Sequence, residues 1–380
     1  IHYVSLDRTP QLWEELEKDQ ITLREACGNT VRNVTGSPMA GVDPNEPFDV
    51  SPYAHATFEY FLRNPISQDM GRKFKMAFSS TDADDALTYM HDLGFIAKIK
   101  DGERGFKVML GGGLGSQPLP AFVAYEFLPT NQILPFAEAV VRVFDRYGER
   151  AKRNKARLKF LVADLGFEAF MQWVNVERLA TKHKIFEIEA PESSPVFLAG
   201  DWVKDQTIDD VKAFEIWKQT NVFAQKQTGF VAVGIRVPLG DFTTATAREL
   251  AKVVDAFAAD DIRLTLTQNI VLRFVKPDDL PALYNALKSI GLNAPGYESP
   301  VDITACPGTD TCNLGIASST GLAVELERIS GCMNACGQHN MADIGFQGMT
   351  VKAGVKIAPA SQVLLGGRPL GDGQAVFSDK

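Results

Sequence analysis

The sequence predicts an α+β fold built twice, with two related mixed domains around a central site. Three observations carry this expectation. Residues 228–292 alternate strand and helix patterns in the order β-α-β-β-α. Short segments of the first part of the chain recur, in the same order, in the last part. Four cysteines fall in two close pairs, Cys306-x5-Cys312 and Cys332-x3-Cys336, which suits a single shared ligand point.

The elements follow in chain order. Residues 1–5 match the later strand Ile270 to Phe274, and Gln11 to Leu16 match the helix after it. Residues 1–20 therefore read as the remnant of a first β-α-β-β-α module, with the chain beginning inside a strand and its N-terminus truncated. Residues 21–165 read as the first repeat domain, in which Gly105 to Leu110 form a strand ending in Gly111-Gly112-Gly113-Leu114-Gly115. Residues 166–227 are a mixed helical connector punctuated by Pro191 and Pro195. In the module at 228–292, Phe230 to Val237 is a strand with a turn at Pro238-Leu239-Gly240-Asp241. Helical spacing over 243–258 follows, with Thr243 as its cap and Ala247, Leu250, Ala251, Val254 and Phe257 on one face. Strands at 262–266 and 270–274 precede a helix from Asp278 with Leu280, Leu283, Leu287 and Ile290 aligned. That order is most of a ferredoxin-like half-module.

Residues 293–380 are the second repeat domain, which carries the four cysteines. Ala26-Cys27-Gly28-Asn29-Thr30-Val31-Arg32-Asn33 echoes Ala305-Cys306-Pro307-Gly308-Thr309-Asp310-Thr311-Cys312-Asn313, and Val108 to Gly112 echoes Val363 to Gly367. Gln374 to Phe377 reads as an element that continues past the end of the chain.

Composition narrows the class. With 380 residues, 45% hydrophobic and 23% charged, the chain is long enough for two or three ordinary globular domains. No apolar run reaches the ~20 residues of a membrane helix. A net charge of −8 argues against nucleic acid as the main partner. The predicted compartment is the cytoplasm, since nothing at the start resembles a signal peptide and five cysteines make no secreted scaffold. Disulfides do not suit such a compartment, and zinc knuckles are tighter than Cys306-x5-Cys312. A [4Fe–4S] cluster on Cys306, Cys312, Cys332 and Cys336 is the favoured reading. Cys27, remote in sequence, reads as a small buried apolar residue.

The run Ser330-Gly331-Cys332-x3-Cys336, followed by Asp343-Ile344-Gly345-Phe346 and preceded by Cys-x5-Cys, resembles the sirohaem-binding signature of the sulfite and nitrite reductase haemoproteins. The resemblance implies the duplicated architecture of that family, a sirohaem beside the cluster, and Cys336 as the ligand shared between them. It implies six-electron reduction of sulfite to sulfide, with nitrite to ammonia as the alternative and a cluster-only electron-transfer protein as a minor one. No flavin or nicotinamide fingerprint is present, so the reductant would be a separate protein, a ferredoxin or a flavoprotein reductase.

Holding a small oxyanion and a macrocycle rimmed with carboxylates requires fixed positive charge. Arg32 and the segment Arg72-Lys73-Phe74-Lys75 supply it, and in a strand Lys73 and Lys75 share a face. Read alone, Lys-x-Lys is also the pattern of a solvated strand edge. The resemblance assigns substrate binding to Arg32, Lys73 and Lys75, with Arg72 at the cofactor. Lys75 favours sulfite, because plant-type nitrite reductases tend to carry Asn there and a dianion asks for more cationic character.

Glycine runs let backbone approach a ligand and turn N–H groups toward an anion, although most are plain turns. In the resembled family such a loop lines the sirohaem, which makes Gly111, Gly112 and Gly113 cofactor contacts. Asn313 is placed to hydrogen-bond cluster sulfur. His339 reads as solvent-facing or as a support to the site rather than a ligand. The basic run Arg146 to Lys159 reads as a solvated helix face, with sirohaem contacts or a face for an acidic donor as alternatives. Two departures from the family pattern stand out. A further arginine is expected just ahead of Ile1, and the 19 residues between Cys312 and Cys332 leave no room for the usual strand between a helix ending near Arg328 and Ser330-Gly331.

Overall fold

A computed structural model describes the chain except for residues 2–3, 192–193, 260, 300, 324–327, 331–337, 354–355 and 379–380. Helix α1 (Thr9–Lys18) buries no side chain. It fits the helix expected there, but the described residues among the first five are not in a strand.

The first repeat is a five-stranded sheet in sequential order, β1 (Val31–Gly36), β2 (Phe74–Ser79), β3 (Leu93–Lys100), β4 (Glu103–Leu110) and β5 (Phe122–Pro129). The first three strands are parallel, and β3–β4 and β4–β5 are antiparallel. Helix α2 (Ser51–Phe61) provides the β1–β2 crossover that a parallel pair needs. Phe78 and Phe95 stack at 4.6 Å, and Phe106 meets Phe48, Tyr53, Phe78 and Phe95 edge-on or nearly so. These rings form the centre of a core completed by α3 (Ile133–Tyr147), whose residues from Ile133 to Val141 are all buried. Helices α4 (Leu158–Leu165) and α5 (Phe167–Arg178) close that side.

A second core belongs to the expected module. Helix α6 (Val211–Asn221) leads into β6 (Val222–Ala224), β7 (Val231–Ile235), α7 (Thr244–Phe257), β8 (Ile262–Leu264), β9 (Ile270–Val275) and α8 (Leu280–Ser289), with sheet order β6-β7-β9-β8. The Thr243 hydroxyl accepts from the Thr246 amide at 3.1 Å, which is the expected cap. The sheet takes in β6, ahead of the expected start at residue 228. The α6 side chains Phe214 and Trp217 pack with Tyr284 inside this core, so α6 serves the module rather than a free connector.

The second repeat runs β10 (Thr304–Ala305), α9 (Thr320–Ala323), β11 (Arg328–Ser330), β12 (Ile344–Ala353), β13 (Lys356–Leu365), β14 (Arg368–Gly371) and β15 (Gln374–Val376). β10, β11 and β12 are parallel and β12–β13 is antiparallel, the same pattern as β1 to β4. The duplication is therefore visible in topology. One expectation is corrected: β11 is the strand for which the segment between Cys312 and Cys332 was thought too short.

The finest match between the repeats lies at the β3–β4 and β12–β13 hairpins. Thr88-Tyr89-Met90-His91-Asp92-Leu93-Gly94-Phe95 aligns with His339-Asn340-Met341-Ala342-Asp343-Ile344-Gly345-Phe346, and each begins with a 3-10 turn. The Gly111 and Gly112 amides donate to the Asp92 and His91 carbonyls, both at 2.9 Å. The Gly366 and Gly367 amides donate to the Asp343 and Ala342 carbonyls at 2.9 and 3.1 Å.

Candidate anion and cofactor site

The site in the first repeat is built by three segments that meet at one end of the sheet: the start of β2, the glycine loop after β4, and residues 148–159, which run from the end of α3 into α4. Arg32, on β1, donates its Nε to the Gly28 carbonyl at 2.8 Å. Arg72, Lys73 and Lys75 flank the start of β2, each half-buried around the fully buried Phe74. From the far side come Arg153 and Arg157. The structure thus gathers six cations, since Arg32, Arg72, Lys75, Arg153 and Arg157 all press on one another or on Lys73.

Crowding of like charge has a measurable consequence. Burial first, and then Arg157, Lys75, Arg32 and Arg72, push the Lys73 ammonium down to about 8. Burial and the neighbouring arginines also lower Arg72, which nonetheless stays charged. His91, fully buried, is held neutral at about 4 by burial, and its Nδ1–H donates to the Leu87 carbonyl at 2.8 Å.

A single buried carboxylate stands among these charges. Asp92 accepts from Arg157 Nη2 at 2.8 Å and Nε at 3.3 Å, and from the Lys75 amide at 2.9 Å. Sequence reasoning missed it. The available signal was the repeat of Asp-Leu-Gly-Phe as Asp343-Ile-Gly-Phe.

The basic run Arg146 to Lys159 is not a helix face. α3 ends at Tyr147, and the run continues as an extended strap with one 3-10 turn. Arg146 pairs with Glu177 at 2.9 Å, Arg150 holds the Asp69 carbonyl at 2.9 Å, and Arg157 enters the site. Lys159 is 3% exposed and donates to the carbonyls of Gly113, Leu114 and Gln117, so it clamps the glycine loop.

The glycines serve close packing rather than anion binding through their amides. The amides of Gly111, Gly112 and Gly113 are already committed to the carbonyls of Asp92, His91 and Leu119. A Cβ on Gly112 would fall 2.2 Å from the Tyr89 carbonyl oxygen, and one on Gly113 would meet Lys159 at 3.1 Å.

In the second repeat, Cys306 and Cys312 lie near the 3-10 turn at 308–310. Cys306 is half-buried with its Sγ 3.5 Å from Ser319 Oγ, and Cys312 is exposed beyond the 3-10 turn at 308–310. Cys332 and Cys336 lie outside the described residues. Asn313 is exposed. His339 is buried and held neutral at about 4 by burial, which corrects the solvent-facing reading. Cys27 is exposed, against the expectation of a buried residue.

The donor sets fit the implied groups. Among the described residues the cations outnumber the buried carboxylate Asp92, which suits a polycarboxylate macrocycle and a small anion, and cysteine sulfurs suit a cluster.

Comparison with known proteins agrees. Residues 27–183 match the nitrite and sulphite reductase 4Fe-4S domain, and residues 223–290 match the nitrite/sulfite reductase ferredoxin-like half domain. The chain is 29% identical over 97% of its length to the chloroplastic ferredoxin–nitrite reductase of Zea mays, covering 66% of that protein. It is 30% identical over 93% of its length to sulfite reductase (ferredoxin) 1 of Mycolicibacterium paratuberculosis, covering 63% of it. It thus spans less than two thirds of each of these relatives. The solved structure of the Mycobacterium tuberculosis NirA protein superposes with a TM-score of 0.80 at 27% identity, over 98% of this chain and 68% of that one. With a duplicated α+β architecture, both domain models matched and a sirohaem and a [4Fe–4S] cluster implied as cofactors, the chain belongs to the sulfite/nitrite reductase haemoprotein family.

Proposed function

We propose that the protein reduces sulfite to sulfide by six electrons, with its anion held among Arg32, Lys73 and Lys75. The observation that carries this reading is the crowded cation cluster around Lys73, whose ammonium lies near 8 and therefore holds a proton that can be given up near neutral pH. Arg32 contributes fixed charge, because a guanidinium does not deprotonate. Lys75 is anchored through its amide to Asp92, which fixes where its side chain begins. Arg72 and the backbone at Gly111 to Gly113 border the cofactor in this reading. Cys306, Cys312, Cys332 and Cys336 would hold the cluster, with Cys336 as the thiolate shared with the sirohaem and Asn313 beside the cluster, and the cofactors when bound would supply the electrons.

Nitrite reduction to ammonia at the same cations is the second reading, favoured by the nitrite reductases among the similar proteins. Ferredoxin is the proposed donor, as the names of those relatives indicate. The reducing cytoplasm is the compartment that suits free thiolates. No helix among the described residues is long and apolar enough to cross a membrane.

The test is an absorption spectrum of anaerobically purified full-length protein, with iron and labile sulfide counted. Chlorin-type bands that shift with sulfite, and iron exceeding sulfide by one atom per chain, are expected. Cluster absorbance without chlorin bands would overturn the reading. Competing turnover of the two anions then ranks them.

A further inference from the structure

We propose that Asp92 is the positioning residue of the anion site, tying its three segments together through one buried residue. The inference rests on the reductase reading for its functional consequence, but its geometry stands alone. The Asp92 carboxylate holds the start of β2 through the Lys75 amide at 2.9 Å and the strap through Arg157 at 2.8 and 3.3 Å. The Asp92 carbonyl holds the glycine loop through the Gly111 amide at 2.9 Å. The glycine loop is in turn clamped to the strap by Lys159.

The second repeat shows which of these roles the hairpin itself requires. Asp343 occupies the equivalent position and its carbonyl makes the equivalent bond to Gly366 at 2.9 Å, yet Asp343 is exposed. The same hairpin therefore forms around an aspartate that faces solvent. Burying the carboxylate is thus not required by the hairpin, and what lies beside the buried Asp92 is the cation cluster. A buried anion is retained only where cations and hydrogen bonds repay its desolvation, and Asp92 has both. It fixes Arg157 as a planar fork in one orientation, and it holds Lys75 by its main-chain amide. In this arrangement Asp92 orients the cations without itself touching the anion.

The experiment compares Asp92→Asn and Arg157→Gln with the parent by hydrogen exchange on the full-length protein as purified. Peptides covering 72–78, 109–117 and 150–160 report the three segments, and 231–235 with 270–275 serve as controls. Asp92→Asn is expected to speed exchange at least tenfold in 72–78 and 150–160, the segments its carboxylate holds, and to leave 109–117, held by its main chain, and the controls unchanged. Arg157→Gln, which spares the bond to the Lys75 amide, should loosen 150–160 alone. Acceleration of the controls to the same extent, or of no segment in Asp92→Asn, assigns Asp92 to ordinary packing and overturns the proposal. So does an Arg157→Gln variant in which all three segments loosen, and that arm remains decisive if Asp92→Asn fails to fold. In the cofactor-loaded protein, Asp92→Asn should weaken sulfite and nitrite binding, read from the absorption shift, at least tenfold; unchanged affinity overturns the proposal. Should the parent bind neither anion, the reductase reading fails while the exchange pattern still decides the role of Asp92.

Discussion

The Lys107 ammonium, 3% exposed on β4, donates to Asp372 Oδ2 at 2.6 Å and to the Asp372 carbonyl at 3.0 Å. Asp372 sits at the tip of the β14–β15 hairpin, so this contact joins a strand of the first repeat to the end of the second. Lys98 adds a second ion pair to Asp372 at 3.1 Å, and the Asp372 amide donates to the Asp82 carbonyl at 2.5 Å. Gly373 presses against Met109, where a Cβ would meet the sulfur at 2.7 Å.

Removing Asp372 leaves a buried ammonium with Glu126, at 3.7 Å, as its ionic partner among the described residues. Asp372→Ala is expected to destabilise the protein by about 3 kcal/mol, whereas Lys107→Met, which removes the buried charge, costs less. Urea unfolding of the two variants checks the order. Burial alone would raise Asp372, but the hydrogen bonds from Lys107 and Lys98 outweigh it and hold the carboxyl below its ordinary value. Because the folded value is the lower one, this contribution is present above the ordinary carboxylate range and is lost as pH falls through the folded value.

Lys73 makes the opposite kind of prediction. Its folded value of about 8 lies below the ordinary lysine value of about 10.4. Between those limits the unfolded chain binds more protons, so the penalty of burying this charge is relieved as pH rises. In cofactor-free protein, the acylation rate of Lys73 should show a midpoint near 8, which mass spectrometry of the labelled peptide measures. Arg157→Gln should raise the Lys73 midpoint, since Arg157 is the charge that presses on it most.

At Gly112, an alanine has no space. Its Cβ would lie 2.2 Å from the Tyr89 carbonyl oxygen and 2.9 Å from that of His91, both backbone atoms. Gly112→Ala is expected to cost about 3 kcal/mol, at the upper end of overpacking effects. Gly367→Ala should behave alike, with its Cβ 2.4 Å from the Asn340 carbonyl oxygen. At Gly115, with nothing within 4 Å and φ of +108°, alanine meets only backbone strain of about 1–2 kcal/mol. Thermal unfolding of the three variants tests this ranking.

Lys75→Asn bears on the choice of anion. Removing one positive charge costs a dianion about twice the Coulomb energy it costs a monoanion. The ratio of kcat/KM for sulfite to that for nitrite should fall at least tenfold, and steady-state rates with each anion give it directly. An unchanged ratio would remove Lys75 from the discrimination.

The module at 228–292 was legible because its apolar residues keep a clear period: Leu250, Val254 and Phe257 on α7, and alternation through Ile270 to Phe274. Local periodicity survives into tertiary structure whenever one face must be buried. The cysteine spacing named the chemistry for the same reason, since thiolate ligation needs particular residue types at short range. The cation cluster was only half legible. Arg32, Arg72, Lys73 and Lys75 announce charge, but the same pattern decorates a solvated strand edge. What decided between these readings was Asp92, 17 residues beyond Lys75, and Arg157, a further 65 residues on.

The sequence by itself therefore determined the element types, the duplicated order and the thiolate chemistry, because each depends on residues close together in the chain. Only the tertiary structure decided which charges converge, that Lys159 clamps a loop rather than facing solvent, and that the glycine amides are spent on the hairpin. Those outcomes depend on which distant carbonyls and carboxylates share a buried volume, and desolvation makes such pairings compulsory only after the strands have been brought together.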